Sequence, residues 1–175
     1  MTGGNRRIDR ILDAGFLDGL TARPLPEVRA LRGETEEEEA LLSYERRLLH
    51  GRMDILRAER ERRAGKGGSL LERLPEILAD DAIPSRGSMP RGDPPSLDHP
   101  RRRVEKLVSD QTLANMADLS DPQLDAIIAT LEQAEHEVSE QRKSVLAVLD
   151  ALTGEIGRRY GSGEANPEDV LTGGA

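Results

Sequence analysis

Residues 120–160 read SDPQLDAIIATLEQAEHEVSEQRKSVLAVLDALTGEIGRRY, beginning Ser120-Asp121-Pro122. A capping serine followed by an acid and a proline is a helix start: the missing proline N–H falls where a helix has no acceptor for it. From Leu124 onward one register persists in alternating steps of four and three: Leu124, Ile128, Leu131, Glu135, Val138, Arg142, Val145, Leu149, Leu152, Ile156. That spacing, held for more than four heptads, predicts a helix over 121–160 that buries one narrow stripe against another helix. Only Glu135 and Arg142 break the apolar stripe.

A second stretch has the same grammar. Thr35 with Glu38 makes a capping box, and the acidic run Glu36 to Glu39 suits the positive end of a helix dipole. The seam Leu42, Arg46, Leu49, Met53, Leu56 follows, and the basic cluster Arg57, Arg60, Arg62 and Arg63 closes the segment before Gly65. A helix over 35–63 is predicted. The two stretches also share a polar constellation: Glu39, Ser43, Arg46 and Asp54 recur 96 positions later as Glu135, Ser139, Arg142 and Asp150. Steps of four, three and eight residues keep each set within an arc of about 80° on one helix face. The apolar residues between them recur as well, Leu42, Leu49 and Met53 as Val138, Val145 and Leu149.

The remaining chain is thin in core-forming material. One residue in three is charged, only three of 175 are aromatic (Phe16, Tyr44, Tyr160) and there is no Trp. A narrow helix-pair seam fits this better than a globular core. The absence of Cys excludes a disulfide framework and a thiol nucleophile and fits a reducing cytoplasm. No apolar run reaches the length of a membrane span, and a net charge of −8 disfavours direct nucleic-acid binding. An acidic chain suits a basic protein partner instead.

Residues 1–34 read as a partly disordered N-terminal segment with a weak helical piece (Ile8, Ile11, Leu12, Phe16, Leu17) interrupted by Pro24 and Pro26. Residues 64–120 read as a linker with short helices, one at about 69–79 and one from about Arg101 to Met116, separated by the proline-rich 84–100. Arg101, Arg102 and Arg103 sit at the wrong end of that helix for its dipole. The tail 161–175 reads as disordered. The expected architecture is therefore all-α: a long antiparallel two-helix coiled coil with short flanking helices and a disordered linker and tail.

Arginine at a seam position is costly unless partnered. With Arg46 and Arg142 at corresponding positions, pairing of the two helices brings two like charges together, which invites an anion. Phosphate is one candidate, and guanine is another, since Arg can donate in a fork to its O6 and N7. Asp54 and Asp150 can accept from guanine N1–H and the 2-amino group, while the serines and glutamates suit ribose or base edges. Unopposed arginines also imply that removing one raises, or leaves unchanged, the stability of the ligand-free protein. The alternative is an adaptor coiled coil in which the polar residues only set register. No nucleophile–base pair, phosphate loop or metal-ligand spacing appears, so neither catalysis, a metal nor a cofactor is expected.

The block Leu42-Ser43-Tyr44-Glu45-Arg46-Arg47-Leu48-Leu49-His50-Gly51-Arg52-Met53-Asp54-Ile55-Leu56 resembles the first signature helix of RsiG-type anti-sigma factors, and Arg7-Ile8-Asp9-Arg10-Ile11-Leu12 through Leu20 resembles their N-terminal segment. The resemblance implies binding of a dimer of cyclic di-GMP through two copies of Glu-x3-Ser-x2-Arg-x3-Gln-x3-Asp. It also implies sequestration of a WhiG-type RNA polymerase sigma factor in the cytoplasm. Glu39, Ser43, Arg46 and Asp54 match the first copy, and Glu135, Ser139, Arg142 and Asp150 the second. The Gln does not match: His50 stands there in the first copy and Leu146 in the second. His50 retains a ring nitrogen for the ligand, whereas Leu146 offers nothing polar.

Overall fold

The computed structural model describes residues 6–65 and 98–165. Two long helices dominate, α2 (Leu25–Arg63) and α5 (Asp121–Gly161), joined by α1 (Arg7–Ile11), α3 (Asp98–Leu107) and α4 (Asp110–Ala114). No strand occurs among the described residues, and no helix there is long and apolar enough to cross a membrane. The fold is all-α, with α2 and α5 packed as a helix pair.

The chain divides into two compact units, one of Met1–Ala40 with Arg142–Ala175, the other of Leu41–Gln141. In the first, Arg29 donates to the Tyr160 hydroxyl and Arg32 to the Thr153 hydroxyl at 3.3 Å. In the second, Arg46 reaches Glu135, Arg57 reaches Glu132 and Arg60 reaches Asp125. Within each unit, numbers rise along α2 as they fall along α5, so the pairing is antiparallel.

Burial follows a strict seven-residue period. Val28, Thr35, Leu49 and Leu56 on α2 and Leu124, Leu131, Val145 and Leu152 on α5 are fully buried, with Leu42 and Val138 almost so. Each such aliphatic side chain contributes about 1.5–3 kcal/mol by leaving water. The second seam line is only half closed: Glu39, Arg46, Glu135, Arg142 and Leu149 are all partly exposed. The polar residues therefore lie along the edge of the seam, open to solvent on one side.

Of the two long helices, one has a boundary that differs from expectation. The second long helix starts as expected at Asp121, where the Ser120 N–H donates to Gln123 Oε1 at 2.7 Å. The first starts at Leu25, not near Thr35. Pro24 precedes it and Pro26 sits in its first turn, where a missing N–H costs nothing. Thr35 is then interior and fully buried, its hydroxyl donating back to the Leu31 carbonyl at 2.8 Å. The acidic run is equally mid-helical, and its partners are side chains rather than the dipole. Arg7 binds Glu37 and Glu38 at 2.7 and 2.8 Å, and Arg10 binds Glu34. With Ile8 and Ile11 buried, these pairs dock α1. Gly65 and Gly163, just beyond the ends of α2 and α5, have φ of +70° and +77°, which glycine adopts without strain.

The helix expected from Arg101 to Met116 is broken in two, because Ser109 caps a new start and accepts from the Thr112 N–H at 3.0 Å. Arg103 at 3.3 Å from the buried Glu45 has an internal partner. Buried Arg52 ties the break to α2, donating to the Val108 carbonyl at 3.0 Å and to Glu105 and Asp110 at 2.7 Å. The helix expected at 69–79, most of the proline-rich linker and the last ten residues lie outside the described residues.

The 96-residue offset extends well past the polar constellation. Arg159 donates to the carbonyls of Leu20, Thr21 and Arg23, the turn just ahead of α2. Arg63 donates to Met116, Ala117 and Leu119, the turn just ahead of α5. Every partner is matched 96 positions on. In both copies a buried glutamate holds the arginine: Glu155 pairs with Arg158 and Arg159, and Glu59 with Arg62 and Arg63. The Arg62 hydrogen bond, opposed by burial and reinforced by Arg63, brings the Glu59 carboxyl down to about 2. Arg158 and then Arg159 do the same for Glu155, also at about 2. Each unit thus closes the end of one long helix over the entry to the other.

Candidate functional site

In the unit Leu41–Gln141, three donors converge on one atom, Glu135 Oε1. Arg46 Nε lies 2.8 Å away, Ser139 Oγ 2.7 Å and His50 Nε2 3.2 Å. The Arg46 and His50 side chains are each 42% exposed and the Glu135 side chain 20%. Burial pushes the Glu135 carboxyl up, but hydrogen bonds from Arg46 and Ser139 and the charge of His50 together bring it below the usual range. His50 donates when its proton is on Nε2. Ser43 is half-buried in this unit, and Asp54 lies further along α2 with its carboxylate 3.9 Å from Arg57.

In the other unit, Arg142 Nε donates to Glu39 Oε1 at 2.7 Å. Arg142 is the counterpart of Arg46, and Glu39 of Glu135. Each arginine is therefore neutralised by the glutamate of the other copy, which corrects the picture of two unopposed positive charges. Leu146, in the place of His50, supplies no donor here. Asp150 is exposed. Of the nine expected site residues, Arg46, His50, Glu135 and Ser139 form one cluster and Glu39 and Arg142 form a second. Ser43 is half-buried on α2, and Asp54 and Asp150 lie towards the surface on their helices.

The unit Leu41–Gln141 sets two carboxylates (Asp54, Glu135) against Arg46 and a neutral His50, and the other unit sets two (Glu39, Asp150) against Arg142. A bare phosphate would meet more negative than positive charge. A ligand edge that carries both acceptors and donors fits better, and guanine has both: O6 and N7 accept, N1–H and the 2-amino group donate. Aromatic help is slight. Tyr44 lies under the Arg47 guanidinium, 5.9 Å from its ring centroid. Among the described residues no cluster of His, Cys, Asp or Glu could hold a metal ion.

The Glu-x2-Arg-Arg clamps at 59–63 and 155–159 were not anticipated, although the same offset of 96 marks them in the sequence. Their acceptors are main-chain carbonyls, which leave no trace in residue types.

A family model described as RsiG-like matches residues 14–78 and 110–172, well over half of the chain. The two matched stretches begin 96 residues apart, in the frame of the repeat. A search of the curated proteins gives no match.

Proposed function

The chain belongs to the RsiG-like family of anti-sigma factors, a regulatory rather than a catalytic family, and on that premise we propose that cyclic di-GMP arms it to sequester a WhiG-type sigma factor in the cytoplasm. The observation that carries the nucleotide reading is the crossed Arg–Glu pair written twice, Arg46 with Glu135 and Arg142 with Glu39. Both pairs sit at the half-open edge of the seam, where a ligand can reach them. Guanine edges would exchange into these pairs: the arginines donate to O6 and N7, and Glu39, Glu135, Asp54 and Asp150 accept from N1–H and the 2-amino groups. A dimer of cyclic di-GMP carries four guanines, enough to serve both copies.

Self-satisfied ion pairs also suit a helix pair with no ligand, since crossed Arg–Glu pairs fix antiparallel register unaided. Titration calorimetry of the full chain with cyclic di-GMP separates the two readings. Two nucleotides bound per chain, lost in Arg142→Ala, is the expected result. No heat at high nucleotide concentration would leave only the adaptor.

A further inference from the structure

The two copies of the repeat are not finished alike. In the first, Ile11 is fully buried, Phe16 is 8% exposed, and the α2 surface at Glu34, Glu37 and Glu38 is covered by Arg10 and Arg7. The corresponding residues of the second copy are Leu107, Thr112, Thr130, Gln133 and Ala134. Here the glutamates have become small or neutral and the aromatic has become threonine. Arg103, the counterpart of Arg7, turns to Glu45. Leu107 is left 43% exposed beside an open groove of about 450 Å³, lined by Leu107, Ala129, Thr130, Gln133, Ala134 and Glu137. A surface that the first copy closes from within is open and apolar in the second.

We propose that this groove seats an amphipathic helix of the sigma factor, which inserts an aliphatic or aromatic side chain beside Leu107 and sets a basic residue against Glu137. The first copy shows the chemistry that closes such a surface: an aliphatic side chain buried next to arginines held by carboxylates. Among the described residues that line the groove Glu137 alone is charged, and the chain is acidic at −8. The complementary occupant is an apolar anchor with a positive flank, and a DNA-binding factor is rich in such helices. A central apolar pocket with a charged rim is where binding energy concentrates.

This inference rests on the anti-sigma reading, and the test separates the two. The full chain, loaded with cyclic di-GMP, is titrated with the WhiG-type sigma factor of the same organism, as wild type, Leu107→Asp and Glu137→Lys. Each variant is also titrated with nucleotide alone to show that it is folded and armed. Loss of sigma-factor affinity by about tenfold or more in Leu107→Asp, with a smaller, salt-sensitive loss in Glu137→Lys and unchanged nucleotide binding, is expected. Wild-type affinity in both variants would overturn the groove and leave the anti-sigma reading standing. Failure of the wild type to bind the sigma factor overturns both. Concentration-dependent dimers that Leu107→Asp abolishes would assign the groove to a second copy of the chain and overturn the proposal equally.

Discussion

Removing the Arg46 guanidinium is expected to destabilise the ligand-free protein, opposite to what unopposed arginines would imply. At 2.8 Å from Glu135 the raw attraction is about 6 kcal/mol at an effective dielectric constant of 20. Water access cancels most of it: the Arg46 side chain is 42% exposed, and half-exposed pairs are worth about 0.5–1 kcal/mol after screening and side-chain ordering. Glu135 keeps Ser139 and His50 as donors in the variant, so it is not stranded. Arg46→Ala should therefore cost about 1 kcal/mol, or about 2–4 °C in a chain of this size. A double-mutant cycle with Glu135→Gln should return a coupling of about 0.5–1 kcal/mol. Because the Glu135 carboxyl lies below its usual range, this stabilisation is complete above the ordinary carboxylate pKa. It fades as pH falls through the lowered value, so the gap between wild type and variant should close in acid. Thermal melts of the four proteins at neutral and acid pH test this. A melting temperature that rises in Arg46→Ala, or a coupling of zero, would refute the pair.

The other expectations concern the clamps, the helix start and the unequal halves. Arg159→Lys should lower the melting temperature nearly as much as Arg159→Met, because one ammonium cannot reach three carbonyls and Glu155 together; full rescue by lysine would mean that charge alone matters. With Glu59 and Glu155 held at about 2, their stabilisation is present above the unfolded carboxylate pKa and is lost as pH falls towards 2. Melting temperature should thus decline across that window in wild type and less in Glu59→Gln, with equal slopes counting against the clamp. Thr35→Val should be nearly neutral in a thermal melt, since Thr35 is a buried interior residue; a loss of about 1 kcal/mol would restore it as a helix cap. Leu146→Gln should tighten nucleotide binding by supplying the donor that the second copy lacks, and unchanged calorimetry would remove position 146 from the site.

Sequence alone determined the helix pair and its repeat. Every seventh residue from Leu124 to Leu152 is buried as the spacing required, because a helix turning every 3.6 residues can bury only such a stripe. The start of α5 was equally legible, since Ser120, Pro122 and Gln123 act on groups within four residues of themselves. What depended on distant partners was not. Thr35 and Glu38 spell a cap, yet the helix runs through them because Arg7 and Arg10 neutralise the acidic face and buried Ile8 and Ile11 hold α1 in place. The arginines at 46 and 142 were visible as seam breaks, but only antiparallel packing decided that each meets the other copy's glutamate. The clamps of Arg63 and Arg159 end on backbone carbonyls, whose positions are set by tertiary packing and carry no side-chain signature.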